Sequence, residues 1–223
     1  MSTRPAELVP GLWRWVARHP EWHPGEFGAE VASFAVRADG AGLLIDPLLP
    51  PDPEPVLELV DGLADADPVA ILITIPYHVR SAEELRRRLG KRATIHGHPA
   101  AAKRLKKRAG FTPIEPPEEL PGGARALPIG KPRRNETPFH LASHDAIAFG
   151  DAVCEHGGRL RVWATGPVDE KRVRFHRERF NPTLEPLLEL GATRILVTHG
   201  QPVLQEGTKR LRSALRAKPW YHR

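Results

Sequence analysis

Ile71-Leu-Ile-Thr-Ile-Pro-Tyr-His-Val-Arg-Ser81 is the stretch whose reading decides the fold. The apolar run from Val69 to Ile73 predicts a buried strand, Thr74 to Arg80 predicts a loop, and Ser81-Ala-Glu-Glu-Leu85 predicts a helix start with Ser81 as its cap. Strand, loop and helix in that order place a loop at the carboxyl end of a strand. In α/β architectures that is where sites form.

Outward from this stretch, strands and helices alternate. Leu12 to Ala17, Val31 to Arg37 and Gly42 to Asp46 predict strands, with a hairpin turn at Ala38-Asp-Gly-Ala41. Asp52 to Gly62 predicts a helix with prolines in its first turn and Val56, Leu59, Val60 and Leu63 on one face. The helix from Ala82 to Leu89, the strand from Ala93 to His96 and a helix from Pro99 to Arg108 complete the first half. Phe111 to Gly123 is too rich in proline for regular structure. Strands near Ala124 to Leu127, Thr137 to Leu141, Ala146 to Phe149, Leu160 to Ala164 and Arg194 to Thr198 follow, with helices at Pro182 to Leu190 and Gln205 to Arg216. Periodicity alone supports an α/β class.

The opening stretch resembles the ligand loop of the metallo-β-lactamase superfamily, T-H-x-H-x-D-H. Thr74 matches its threonine, but Ile75, Tyr77, Val79 and Arg80 stand at the four ligand positions, and His78 is one residue out of register. Gly11 to Trp15, Ser33 to Arg37 and Gly42 to Pro47 are similar to the family's opening strands, which end in a supporting aspartate, here Asp46. Phe139 to Asp151 resembles the hairpin ending in Gly-Asp, whose aspartate bridges two metals, and Arg194 to Gly200 resembles the last strand with its terminal histidine ligand, here His199. The histidine due about nineteen residues before Asp151 falls near Pro132, in Lys131-Pro-Arg-Arg134, where there is none. The resemblance spans nearly the whole chain. It implies an αββα sandwich over residues 1–223 as one domain, with only Asp151 and His199 retained of the metal ligands.

Two ligands are too few for zinc, which takes three or four. The expected arrangement is therefore metal-free and non-catalytic, an Arg80, Asp151 and His199 network in which the guanidinium replaces the lost cation beside Asp151. A buried carboxylate stripped of such a partner costs on the order of 3 to 5 kcal/mol. No cofactor is expected on that reading. The alternative is a mononuclear zinc or iron site of His78, Asp151 and His199, which would activate water against an ester, lactone, thioester or amide. A metal-free hydrolase, with a histidine as base and Arg80 at a developing oxyanion, lacks a placed nucleophile.

Composition limits the other classes. The chain has 223 residues, 40% hydrophobic and 27% charged, ordinary for a globular protein. No apolar run is long enough to span a bilayer and no secretory leader precedes the first strand, so cytoplasmic residence and no membrane association are expected. Cys154 is the one cysteine and is read as a structural thiol. The net charge of +6, with basic runs at Lys103 to Arg108 and Lys209 to Lys218, raises a nucleic-acid binder as a second alternative. With no phosphate loop or stacking motif, solvated helix faces are the simpler account, and a small-molecule ligand is the expected partner. His19 and His23 fall in a Pro-rich loop where the resembling family has a flap and are read as exposed surface imidazoles, His96 and His98 read as capping residues, and His140 and His144 as surface residues of a hairpin.

Overall fold

The computed structural model describes residues 4–66, 68–107 and 110–222. Its first sheet runs in sequence order through seven strands: β1 (Ala6–Val9), β2 (Leu12–Arg18), β3 (Glu30–Ala38), β4 (Ala41–Ile45), β5 (Val69–Ile73), β6 (Ala93–Gly97) and β7 (Phe111–Pro113). The first four pair antiparallel through short turns. From β4 onward the pairing is parallel, because helices cross between strands: α1 (Glu54–Ala66) links β4 to β5 and α2 (Ala82–Leu89) links β5 to β6.

A second sheet has β8 (Glu118–Glu119), β9 (Ala124–Ala126), β10 (Phe139–Leu141) and β11 (Ala146–Phe149) pairing antiparallel as neighbours. A two-stranded ribbon, β12 (Val153–His156) with β13 (Arg159–Val162), lies apart from it. Beyond α3 (Glu170–Phe175) and α4 (Asn181–Leu184), β14 (Arg194–Val197) returns to pair parallel with β11, and α5 (Gly207–Arg216) follows.

Strand alternation builds three cores. Phe34, Val36, Leu43, Ile45 and Leu72 of the first sheet meet Phe139, Leu141, Ala148 and Leu196 of the second in the central one. Trp15, Leu44, Ile71 and Ile73 point the other way and pack on α1 and α2 through Val56, Val60, Leu63 and Leu85. Ile147, Phe149, Ile195 and Val197 pack on Phe180, Leu184, Leu211 and Ala214. Helix, sheet, sheet, helix is the four-layer αββα arrangement. β4, β5, β11 and β14 are nearly all buried because both their faces are covered.

Several expectations are corrected. Pro99 onward forms only a 3-10 turn, Pro99–Lys103, and Arg108 lies outside the described residues. His98 caps that turn, accepting from the Ala100 N–H at 3.1 Å. Phe111 to Gly123 contains β7 and β8, each tied to a neighbouring strand. The helix expected at Pro182 to Leu190 is a broken run from Glu170 to Leu190, with a π turn at His176–Phe180 and a 3-10 end. Pro182 and Pro186 lack the N–H groups a continuous α-helix needs. Ser81 makes no cap bond; its hydroxyl accepts the Leu49 N–H instead. His144 is half-buried, with Nε2 at 3.1 Å from the Pro10 carbonyl. Among the described residues no helix is long and apolar enough to cross a membrane.

Candidate functional site

Four strand ends converge. Asp46 follows β4, the loop Thr74–Arg80 follows β5, Gly150 and Asp151 follow β11, and Thr198 and His199 follow β14. The loop before β10 is drawn in by the Thr137 N–H donating to the Thr74 carbonyl at 2.6 Å, which sets Arg133 and Glu136 beside them. A Cβ on Gly150 would lie 2.7 Å from the Thr74 hydroxyl, so only glycine lets the two sheets close here.

Asp46 is the centre of one half of the site. Its carboxylate accepts the Thr74 N–H at 2.8 Å and the Thr74 hydroxyl, and faces His78 Nδ1 at 2.8 Å. Ser33 Oγ donates to the Asp46 carbonyl at 2.8 Å and accepts the Leu48 N–H, which fixes the backbone. Asp46 itself sits at φ 47°, a left-handed conformation unusual for a non-glycine residue. This bonding orients the His78 ring so that Nε2 faces the other half of the site.

Asp151 is the centre of that other half. His78 Nε2 lies 3.5 Å and His199 Nε2 3.8 Å from its Oδ1, while Arg133 Nη1 lies 3.6 Å from Oδ2 and 3.7 Å from Glu136 Oε2. None of these contacts is short enough for a good hydrogen bond, and Oδ1 has no partner. Burial raises the Asp151 carboxyl, but His78, Arg133, His199 and Arg80 together hold it below the usual carboxylate range. Burial pushes the His199 imidazole down to about 4, against the pull of Asp151. Glu136 is fully buried and accepts the N–H groups of Gly150 and Ala152; burial pushes its carboxyl up to about 7, opposed by Arg133.

The structure brings His78, Asp151 and His199 together and gives Arg80 a different part from the one expected. Arg80 donates through Nη1 to the carbonyls of Ala32, at 3.2 Å, and Asp46, at 2.8 Å, and makes no ion pair with Asp151. The guanidinium beside Asp151 is that of Arg133, which the sequence reading passed over. The signal was available: Arg133 lies in the Lys131 to Arg134 run where a histidine was found missing. Arg80 is held at φ 42°, ψ −120°, backbone strain that persists because both its carbonyl partners are fixed. Its charge is disfavoured by burial and supported by Asp46 and Asp151.

Above these residues lies a cavity of about 480 Å³. The segment carrying His19, Trp22 and Phe27 covers one side, which puts His19 at the cavity rather than at the open surface expected of its loop, and Trp163, Tyr221 and His222 form another. Phe27 packs against His199 at 4.8 Å and Trp163 at 5.6 Å between ring centres. The strap after α5 is tied down by the Ala164 N–H donating to the Trp220 carbonyl, and His222 Nε2 lies 2.8 Å from the Gly25 carbonyl. Cys154 is buried nearby with its thiol pushed up to about 12, so it offers no nucleophile.

The donor set does not suit a metal pair. Ile75 and Val79, where the resemblance implies ligands, are buried and have no side-chain lone pair, and Tyr77 is 64% exposed. Arg80 brings a fixed positive charge. Among the described residues no group of three or more His, Cys, Asp or Glu side chains is placed to hold a metal ion.

No protein-family model and no curated protein matches the sequence. Solved structures do match. The DIM-1 metallo-β-lactamase superposes with a TM-score of 0.68 at 14% identity, over 95% of this chain and 95% of that one. A metallo-β-lactamase family protein from Thermus thermophilus gives 0.58 at 18%, over 92% and 78%. The flavodiiron core of Flv1 from Synechocystis gives 0.65 at 16%, over 96% of this chain and 60% of that one. The chain has the metallo-β-lactamase fold.

Proposed function

We propose that this metallo-β-lactamase-fold chain has given up the dinuclear metal chemistry of its cleft and uses the cleft, without metal, to bind a small anionic molecule. One observation carries the reading. Arg133 is 8% exposed and lines the cavity, its Nε is a buried donor without a partner, and the carboxylate oxygens paired with its Nη1 are 3.6 and 3.7 Å away. A buried guanidinium in that state has unmet hydrogen-bonding capacity, which an arriving oxyanion would fill. The same positive charge opposes a divalent cation on Asp151. The binding residues on this reading are Arg133 and His199, with Asp151 positioning Arg133, while Arg80 is held to the Ala32 and Asp46 carbonyls as part of the scaffold. His78 holds the two carboxylates Asp46 and Asp151 apart.

A second reading, a mononuclear hydrolase, has one observation in its favour: His78 Nε2 and His199 Nε2 converge on the unpartnered Oδ1 of Asp151. Elemental mass spectrometry on protein purified without an affinity tag separates the two. Metal far below one equivalent, unchanged in Asp151→Ala, is expected. Near-stoichiometric zinc or iron that disappears in Asp151→Ala would establish the second reading, with water activation at that ion as the chemistry to screen.

A further inference from the structure

Resting on the reading of the cleft as a metal-free anion site, we propose that its ligand is a planar aromatic monocarboxylate, with the carboxylate on Arg133 and the ring against Phe27 and Trp163. The polar balance of the cavity sets the carboxylate. Trp22 Nε1, Trp163 Nε1, Arg133 Nε and Arg80 Nε and Nη2 are five buried donors without partners, against Asp151 Oδ1 and the imidazole nitrogens His199 Nδ1 and His222 Nδ1 in that state among the described lining residues. Donors in such excess call for an acceptor-rich ligand, since each unmet buried donor is costly and a small side-chain movement toward an acceptor relieves it.

The charge of the lining sets the valence. Glu21, Glu26 and Asp151 share the cavity with Arg80, Arg104 and Arg133, so the three arginines are matched by three carboxylates, and a lining without net positive charge disfavours a phosphate dianion more than a single carboxylate. The walls set the ring. Arg133 lies over the Trp163 ring at 5.0 Å, and Trp163 stands 5.6 Å from Phe27 and 6.1 Å from His222. Tyr77, at the exposed rim of the lining, carries Arg104 on its face at 3.9 Å. Flat apolar walls beside a stacked guanidinium match a flat ring ending in a carboxylate. The volume of about 480 Å³ is in the range of small-molecule sites.

Calorimetric titration of the whole chain with benzoate, indole-3-acetate, benzamide, acetate and inorganic phosphate tests the proposal, with melting temperature as a second readout. The two aromatic acids should bind at least about tenfold tighter than benzamide or acetate, the weight of one charge-assisted hydrogen bond or one buried ring. Arg133→Met should weaken them by about tenfold to a hundredfold, and Phe27→Ala should narrow their advantage over acetate. Circular dichroism checks that each variant folds, and the ligand series on the wild type stands without them. Acetate or phosphate binding as tightly as the aromatic acids would overturn the ring assignment while leaving the anion site intact. Benzamide binding as tightly as benzoate would overturn the carboxylate. No binding by any anion, together with stoichiometric metal, would remove the underlying reading itself.

Discussion

The two aspartates that meet across the cleft, Asp46 and Asp151, are bonded very differently. Asp46 is held by Thr74 through two groups and by His78 Nδ1 at 2.8 Å, with its backbone tied by Ser33. Asp151 has four cationic or ionisable neighbours, His78, His199, Arg133 and Arg80, and the first three come no nearer to its carboxylate than 3.5 Å. A fully bonded carboxylate is part of the scaffold. A crowded but under-bonded one belongs to a site waiting for something to complete it. The first half is therefore bonded as scaffold, while the second half keeps its polar groups open to a ligand.

The largest expected effect tests the scaffold half. Asp46→Ala strips Thr74 and His78 of their acceptor and removes a side chain that helps hold a left-handed backbone position, so it should cost about 3 to 5 kcal/mol, in the range for breaking a buried network. Asp151→Ala should cost under about 1 kcal/mol, because no good hydrogen bond is lost. Urea unfolding of both variants measures the pair; equal losses would erase the distinction between the halves.

The pH dependence sharpens it within the second half. His199 titrates near 6.5 when unfolded and is pushed down to about 4 in the fold. Its contribution is fully present above pH 6.5 and is lost as pH falls toward 4, because the unfolded chain binds the proton first. The loss is about 3 kcal/mol. Glu136 runs the other way: raised from 4.5 to about 7, it contributes below 4.5 and loses this as pH rises through 7. Between 4.5 and 6.5 the two oppose one another, and wild-type stability should be nearly flat. His199→Gln should grow more stable on acidification from 7 to 4.5, and Glu136→Gln less stable over the same window. Denaturant midpoints against pH would show it, and parallel profiles for the two variants would contradict it.

The sequence made the scaffold half legible because its signals are local. An apolar run and a Thr at its end announce themselves within a few residues, and β5 and α2 match the sequence reading to the residue. The second half depends on tertiary meeting. Arg133 comes from a proline-rich loop before β10, and nothing in Lys131 to Arg134 says that its guanidinium reaches Asp151, whereas Arg80, at a recognised ligand position, drew the assignment. Glu136 was missed for the same reason: its partners, the N–H groups of Gly150 and Ala152, belong to another strand end. The broken run from Glu170 to Leu190 was half legible, since Pro182 and Pro186 mark interruptions but not the π turn before them.

The smallest effect on stability is the most telling. Arg133→Met keeps the apolar stem and removes a guanidinium that lies over Trp163, whose Nε is unpartnered and whose Nη1 is 3.6 Å from Asp151. Two terms then oppose. Losing the charge leaves Asp151 with less compensation, but His78 and His199 remain beside it, and the desolvation cost of the guanidinium disappears. The variant should unfold within about 1 kcal/mol of wild type, or be slightly more stable, while losing anion binding. Arg80→Met is the control from the scaffold half: it gives up hydrogen bonds to the Ala32 and Asp46 carbonyls and should cost about 1 to 3 kcal/mol. A function-for-stability exchange at Arg133 but not at Arg80 is what a binding residue and a structural residue of the same type should show. Equal destabilisation by both substitutions would mean that Arg133 is a strut of the fold and that the cleft is complete as it stands.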